Sequence, residues 1–408
     1  MSTRSTLYVH APFCRAKCRY CAFYSLAAGP SGPQPHSLSR YLDALEAEMD
    51  RQAERYGRVA ASSLFFGGGT PSLLGGEALA RIMTGLRQRF DLDPDAEITL
   101  EANPDSASPE LLRAARELGV NRLSLGVQSL DDAALTSLGR THDAAQARLA
   151  FVHARAAGFA NIGLDLIFGL PGQSVAAWLD TLRQALALEP EHLSCYGLTV
   201  EPGTPLAGDA AALAACLDED GQAEMFLRGS ELLAAAGFEH YEISNFARVG
   251  GGQDRRCRHN LSCWRGEDVL GFGPAAVSTM TEPGGMAGGG QALRWANPQS
   301  LDEWAALVYS GPSKGAGQAG REVLSPEIRA REGLMLALRS AEGLSLDAYA
   351  RSAGRELRET HAGLLKQLES AGFATVDGER LRLTRSGMLV SNSVIRALGF
   401  EDETNNHS

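Results

Sequence analysis

Three cysteines fall within eight residues, in the run Ala11-Pro12-Phe13-Cys14-Arg15-Ala16-Lys17-Cys18-Arg19-Tyr20-Cys21, with the spacing C-x-x-x-C-x-x-C. Thiolates are soft donors that take zinc or iron–sulfur clusters. A structural zinc wants four protein ligands, and no fourth Cys or His follows closely. A [4Fe–4S] cluster also ordinarily takes four thiolates. With three, one iron stays open to an exogenous ligand. A small molecule bearing both an amine and a carboxylate, as S-adenosylmethionine does, can chelate that iron, and an electron from the cluster can then cleave its sulfonium. The bland alternative is a chance group of buried thiols, or a zinc site completed by a distant residue. Attachment of a c-type haem is excluded, because Ala22 stands where a histidine must follow Cys21. The other cysteines, Cys195, Cys216, Cys257 and Cys263, are scattered downstream.

Such a triplet needs a scaffold, and the apolar patterning supplies one. β-Rich runs at Thr6–His10, Ser62–Gly68, Glu97–Ala102, Arg122–Gln128, Asn161–Leu170 and His192–Thr199 alternate with helical periodicity, as at Tyr41–Arg55, Ala78–Phe90 and Leu111–Leu118. Alternation at this spacing predicts βαβ units, hence a parallel sheet with right-handed crossovers. Six units are too few for an eight-fold barrel. The fold class is therefore α/β, a partial (β/α)6 TIM-like barrel over residues 1–245. Working residues belong at the C-terminal ends of its strands, and the cysteine loop directly follows the first of them. Residues 246–325 read as a connector that holds His259-Asn260-Leu261-Ser262-Cys263-Trp264 and a Gly-rich loop, Pro283–Gly290. Over 326–400, helices near Glu327–Arg339, Leu346–Ser352 and Leu357–Ala371 precede a strand pair, Phe373–Val376 and Arg380–Thr384. Asp377-Gly378 between them is a two-residue hairpin signal. That order describes a smaller C-terminal helical, winged-helix-like domain, followed by a frayed polar end.

Composition bounds the partners. Of 408 residues, 44% are hydrophobic and 21% charged, which excludes a disordered tail, a collagen-like fibre or a disulfide scaffold. Lys plus Arg number 38 against 49 Asp plus Glu, a net charge of −11 that disfavours nucleic acid and anionic membranes. The first residues lack the apolar core of a secretion signal, and no apolar run is long enough to cross a bilayer. A cytoplasmic location is expected, without nucleic acid and without a membrane span. Seven cysteines, an odd number, then serve as metal ligands or free thiols.

On these residues the chain resembles the radical S-adenosylmethionine superfamily, over most of residues 5–280. Phe66-Gly67-Gly68-Gly69-Thr70-Pro71 follows the second strand, where that family has a glycine motif beside the methionyl amine of its cofactor. Further strand-end residues match the coproporphyrinogen-dehydrogenase-like branch: Glu101, Gln128, Asp165 and, after the next helix, Arg140. The resemblance implies that Gly68, Gly69, Thr70, Glu101, Gln128, Arg140 and Asp165 contact S-adenosylmethionine. Arg140 suits its carboxylate, and Gln128 and Asp165 its ribose hydroxyls. Tyr8 and Tyr20 match the branch's aromatic contacts beside the cluster that Cys14, Cys18 and Cys21 would hold.

Two departures divide the branch. Its oxygen-independent dehydrogenases carry a further cysteine two residues after the third, and this chain has Phe23 there. The relatives with Phe at that position are the haem chaperones of the HemW type. Those also carry H-N-x-x-Y-W, matched here by His259, Asn260 and Trp264, with Cys263 in place of the tyrosine. His259 and Cys263 are thus candidate haem ligands, set against a plain reading in which the loop only closes the barrel. The resemblance implies a haem chaperone, with haem as cargo, a haem-acceptor protein and an electron donor for the cluster as partners. Oxidative decarboxylation of coproporphyrinogen III is the enzymatic alternative.

Overall fold

Six strands lie side by side in the order in which the chain makes them. In the computed structural model, which describes residues 5–282, 291–310 and 320–399, these are β1 (Ser5–Ala11), β2 (Ala60–Gly68), β3 (Asp91–Ala102), β4 (Arg122–Gln128), β5 (Ile162–Phe168) and β6 (His192–Gly197). Every neighbouring pair is parallel. Helices α1 (Pro35–Tyr56), α2 (Gly75–Arg89), α3 (Pro109–Glu117), α4 (Ala144–Ala156) and α5 (Val175–Leu186) lie within the crossovers. Local chemistry starts them: the Ser108 and Ser174 hydroxyls accept the N–H of Leu111 and Ala177, and Asp143 with Gln146 forms a capping box.

Alternation along the strands sets what faces where. On β4, Leu123, Leu125 and Val127 join the core under the helices, while Ser124, Gly126 and Gln128 face the barrel interior. The same period of two sends Leu164 and Leu166 outward and Asp165 inward on β5. The outer face carries most of the stability, at about 1.5–3 kcal/mol per buried Leu, Ile or Phe. The interior is therefore polar. It is free for chemistry.

The sheet does not stop at six strands. β7 (Phe238–Glu242) and β8 (Asn245–Arg248) extend one edge antiparallel, in the order β6-β8-β7. After α6 (Glu219–Ala235) and α7 (Arg258–Trp264), β9 (Asp268–Phe272) pairs parallel with β1 at the other edge. β10 (Val277–Thr281), β11 (Ala292–Ala296) and β12 (Arg321–Leu324) then continue antiparallel. Much of the stretch expected as a connector is thus part of the same sheet. Its strands are short and, beyond β9, antiparallel, so the βα rhythm fades although the ladder continues. The Gly-rich loop Pro283–Gly290 and the polar end Glu401–Ser408 lie outside the described residues.

One buried carboxylate clasps this extension to the barrel. Glu48 on α1, 4% exposed, accepts from the Gly273 N–H at 2.8 Å, Asn297 Nδ2 at 2.7 Å and Trp304 Nε1 at 3.2 Å. Burial pushes its carboxyl up to about 7 against the pull of those three donors.

The last unit has its own core, with Leu334, Leu338, Leu344, Leu381 and Leu398 at its centre. α8 (Leu301–Ser310), between β11 and β12, still packs in the barrel core through Trp304 and Val308, and α9 (Pro326–Ala337) leads into a three-stranded sheet of β13 (Leu344–Ser345), β14 (Ala374–Val376) and β15 (Arg380–Leu383), ordered β13-β15-β14. The hairpin turns one residue later than the Asp377-Gly378 signal predicts. Val376 pairs with Leu381, and the Asp377 carboxylate accepts the N–H of Glu379 and Arg380. Asp377 therefore begins the turn instead of sitting at its tip.

Candidate cluster and cofactor site

β1 ends at Ala11 and the chain turns into the cysteine loop at the C-terminal mouth of the barrel. A short ladder, Phe13 with Leu26 and Cys14 with Ala27, ties the outgoing limb of the loop to its return. Each sulfur faces a donor. Thr70 Oγ1 donates to Cys14 Sγ at 3.5 Å, Arg140 Nη1 to Cys18 Sγ at 3.3 Å, and the Phe23 backbone N–H to Cys21. Burial, with the neighbouring thiols adding to it, pushes the Cys14 and Cys21 thiols up. Donors of this kind, and above all bound iron, favour the thiolate.

Among the described residues, no three His, Cys, Asp or Glu side chains group tightly enough for a single metal ion. A cubane cluster takes one thiolate per iron, so its ligands stand further apart than those of one ion. Three thiols on one loop, each facing a donor, are a donor set that fits a [4Fe–4S] cluster.

The thiols open on a cavity of about 470 Å³, whose walls include Tyr20, Gly68, Gly69, Thr70, Glu101, Gln128, Arg140 and Asp165. That volume accommodates one small organic molecule. Two glycines bring the β2 turn against the loop. A Cβ on Gly69 would stand 2.7 Å from the Phe13 carbonyl oxygen, and Gly68, at φ +107°, would put one 2.7 Å from the His10 ring. Close packing alone already demands glycine at both. Gln128 holds a left-handed φ of +65° where the β4–β5 register shifts. Such strain in a non-glycine residue costs about 1–3 kcal/mol and clusters at functional sites.

Arg140 lines the cavity with its guanidinium already engaged by the protein. Besides Cys18, its guanidinium donates from Nη2 to Asn103 Oδ1 at 2.6 Å and to the Gly126 carbonyl at 2.8 Å. Only the buried Nε is left without a partner. Asp165 accepts from Ser124 Oγ at 3.0 and 3.2 Å. Burial pushes Asp165 up, and it pushes Glu101 up to about 8 with the Asp165 charge adding to it. Asn103 and Ser124 were not singled out from sequence. Asn103 also donates to Thr70 Oγ1 at 3.0 Å, joining the turn to Arg140. Its proximity to Glu101 in the chain was the available hint.

Three expected residues lie away from the cavity wall. Tyr8 sits in the barrel interior with its hydroxyl 3.1 Å from His10 Nδ1. His259 and Cys263 are on α7, which closes the opposite, N-terminal end of the barrel. His259 Nδ1 is 2.9 Å from Thr6 Oγ1 near the start of β1, Nε2 is 3.8 Å from Cys263 Sγ, and the ring stacks on Phe65 at 4.7 Å. Burial lowers its pKa to about 4. α7 is anchored there by Glu97, which accepts the Arg258 N–H at 2.8 Å, and by the Tyr241 hydroxyl, which accepts the Cys257 N–H at 3.2 Å. The geometry is that of a plug.

Known proteins resemble the chain over nearly its whole length. The radical SAM superfamily model matches residues 8–185, and the HemN C-terminal domain model residues 324–390. Heme chaperone HemW of Mycobacterium tuberculosis is 36% identical over 96% of this chain and 94% of its own length. Heme chaperone HemW of Escherichia coli is 40% identical over 69% of this chain and 71% of its own. The solved coproporphyrinogen III oxidase (HemN) of Escherichia coli superposes with a TM-score of 0.79 over 98% of this chain and 91% of that one, at 24% identity, which speaks for the fold. With near-complete coverage at such identity, the chain belongs to the HemW family of radical SAM proteins.

Proposed function

We propose that this protein is a haem chaperone, binding haem and passing it to an acceptor protein on a scaffold that also holds a [4Fe–4S] cluster and S-adenosylmethionine. The observation that carries the reading is Phe23. It stands at the cavity mouth, 70% exposed, where the dehydrogenases of the branch carry a cysteine. A phenyl ring cannot donate a proton, ligate iron or carry a thiyl radical. The names of the relatives over nearly the full length support the same reading.

In this reading Cys14, Cys18 and Cys21 hold the cluster, one thiolate to each of three irons. Gly68, Gly69 and Thr70 face the amino acid end of the cofactor. Gln128 and Asp165 face its ribose, with Glu101 and Tyr20 beside it. Cluster and cofactor together supply one-electron chemistry when bound. The protein's own contribution is to orient them and to keep the thiolates hydrogen-bonded. His259 and Cys263 hold α7 in place, and Tyr8 supports the interior. An electron donor and a haem acceptor are the protein partners, in the cytoplasm. Among the described residues no helix is long and apolar enough to cross a membrane.

Anaerobic reconstitution followed by two parallel assays tests the proposal. Haem added to the protein should give a Soret band, while coproporphyrinogen III with S-adenosylmethionine and a reductant should remain unconsumed. Protoporphyrinogen formed over many turnovers would overturn it in favour of the dehydrogenase.

Arg140 gives a sharper local expectation. Its removal strips donors from Cys18, Asn103 and the strand end beside the cofactor, and charge-assisted contacts of this kind contribute about 1.5–3 kcal/mol. Arg140→Ala is expected to weaken S-adenosylmethionine binding by roughly tenfold to a hundredfold with iron content retained. Calorimetric titration checks this, and an unchanged affinity removes Arg140 from the pocket.

A further inference from the structure

We infer that Asn103 is a positioning residue that sets how readily the cluster takes an electron, by fixing the direction of a hydrogen-bond chain running from Cys14 to Cys18. The inference rests on the assignment of the cysteine triplet to a [4Fe–4S] cluster and adds a control on its redox state. Four contacts make the chain. Thr70 Oγ1 lies 3.5 Å from Cys14 Sγ, and Asn103 Nδ2 lies 3.0 Å from Thr70 Oγ1. On the other side, Arg140 Nη2 lies 2.6 Å from Asn103 Oδ1, and Arg140 Nη1 lies 3.3 Å from Cys18 Sγ. Asn103 is the midpoint, one residue removed from each sulfur.

Chemistry leaves the chain one direction. A guanidinium has only donors, so the amide atom that faces Arg140 must be the oxygen. The amide nitrogen then faces Thr70, and it can only donate. A hydroxyl carries one hydrogen. Because the Thr70 oxygen already accepts from Asn103, its O–H is left to point at Cys14, while Arg140 keeps its other arm for Cys18. An oxygen in place of the amide nitrogen would draw the Thr70 hydrogen to itself and turn it away from the sulfur.

The backbone is shaped to hold this amide. Asn103 directly follows β3, and its carbonyl accepts the N–H of Ser106 at 2.9 Å and of Ala107 at 3.1 Å. A Cβ on Gly126 would stand 2.9 Å from Asn103 Oδ1 and 3.5 Å from Arg140 Nη2, so β4 offers a glycine where amide and guanidinium meet. Donors to the thiolate sulfurs favour the reduced cluster, because they offset part of the charge that one electron from the donor protein adds. Loss of either donor therefore shifts the equilibrium toward the oxidised form.

Redox titration of the full-length, anaerobically reconstituted protein tests this, without S-adenosylmethionine so that cofactor affinity does not enter. Dithionite and mediator dyes supply the electron, and the visible absorbance reads the fraction reduced. Asn103→Asp keeps the shape and the acceptor for Arg140 but offers Thr70 no donor. It should shift the equilibrium toward the oxidised form by roughly tenfold, which is about 59 mV for one electron. Thr70→Val, which removes the hydroxyl, should shift it in the same direction. The added carboxylate charge acts in either background, whereas loss of the Thr70 donation acts only where Thr70 is present. Asn103→Asp should therefore shift the equilibrium less in a Thr70→Val background than in wild type. Iron and sulfide content and melting temperature report that each variant is loaded and folded. Equal shifts in the two backgrounds, or a wild-type equilibrium in Asn103→Asp, would overturn the inference. If Asn103→Asp does not retain its iron, Asn103→Ala is titrated instead. It loosens both donors without adding charge and should shift the equilibrium the same way, and an unchanged equilibrium there also overturns the inference. If wild type itself takes up no iron and sulfide, the cluster assignment falls and the inference with it.

Discussion

Cys14→Ala, Cys18→Ala and Cys21→Ala should each abolish the broad brown absorbance of the reconstituted protein, whereas Cys195→Ala, Cys216→Ala and Cys263→Ala should retain it. The asymmetry follows from surroundings, since all seven residues are free cysteines. Cys195 is buried on the outward face of β6, where the core pushes its thiol well up and leaves it inert. Burial likewise pushes Cys263 up to about 11, on a helix at the far end of the barrel. Cys216 donates to the Ala212 carbonyl and belongs to no group of ligands. The triplet differs in kind. Its sulfurs share one loop, line one cavity and each meet a donor. Losing one of three thiolates leaves two irons without protein ligands, so the effect should be all or none. Iron and sulfide analysis after anaerobic reconstitution decides it, and full content in Cys14→Ala would refute the assignment.

The barrel was legible because its information is local. Alternation along Arg122-Leu123-Ser124-Leu125-Gly126-Val127-Gln128 states which residues face the helices and which face the interior, before any partner strand is known. The strand-end rule then places Glu101, Gln128 and Asp165 around one mouth, and the structure lines the cavity with all three. What stayed hidden depends on distant partners. Asp268–Phe272 becomes a barrel strand only because β1 offers an edge more than half the chain away. The chemistry of Arg140 suits a free carboxylate, but residue type could not show that Cys18, Asn103 and Gly126 already engage it. His259 illustrates the same limit. A histidine in a recognisable motif does not reveal which end of the barrel it occupies.

Removing the charge of Arg122 should cost a large share of the stability, and no motif points to this residue. It lies at the start of β4, 2% exposed, facing the interior between the α7 plug and the cofactor cavity. Burial pushes the carboxyls of Glu97 and Asp165 up, and in each the Arg122 charge pulls back down. Glu97 anchors α7 through the Arg258 N–H, and Asp165 lines the cavity, so one cation serves both ends of the barrel. Arg122→Met keeps most of the stem and removes the charge. Stranding buried carboxylates in this way typically costs about 3–5 kcal/mol, a large part of the roughly 5–15 kcal/mol that holds a domain together. The deficit should depend on pH, with a definite sign. In the variant both folded-state pKa values rise further above their unfolded values. Folding then favours the neutral carboxyls, and that contribution is complete below the unfolded carboxylate range and is lost as pH rises through the folded values. Urea unfolding should therefore show Arg122→Met closest to wild type near about pH 5 and furthest from it near about pH 8. Adding Glu97→Gln to Arg122→Met should recover part of the loss, since an amide needs no counter-charge and can still accept the Arg258 N–H. A deficit that is flat with pH, or greatest in acid, would mean that Arg122 stabilises through the packing of its stem and not through its charge.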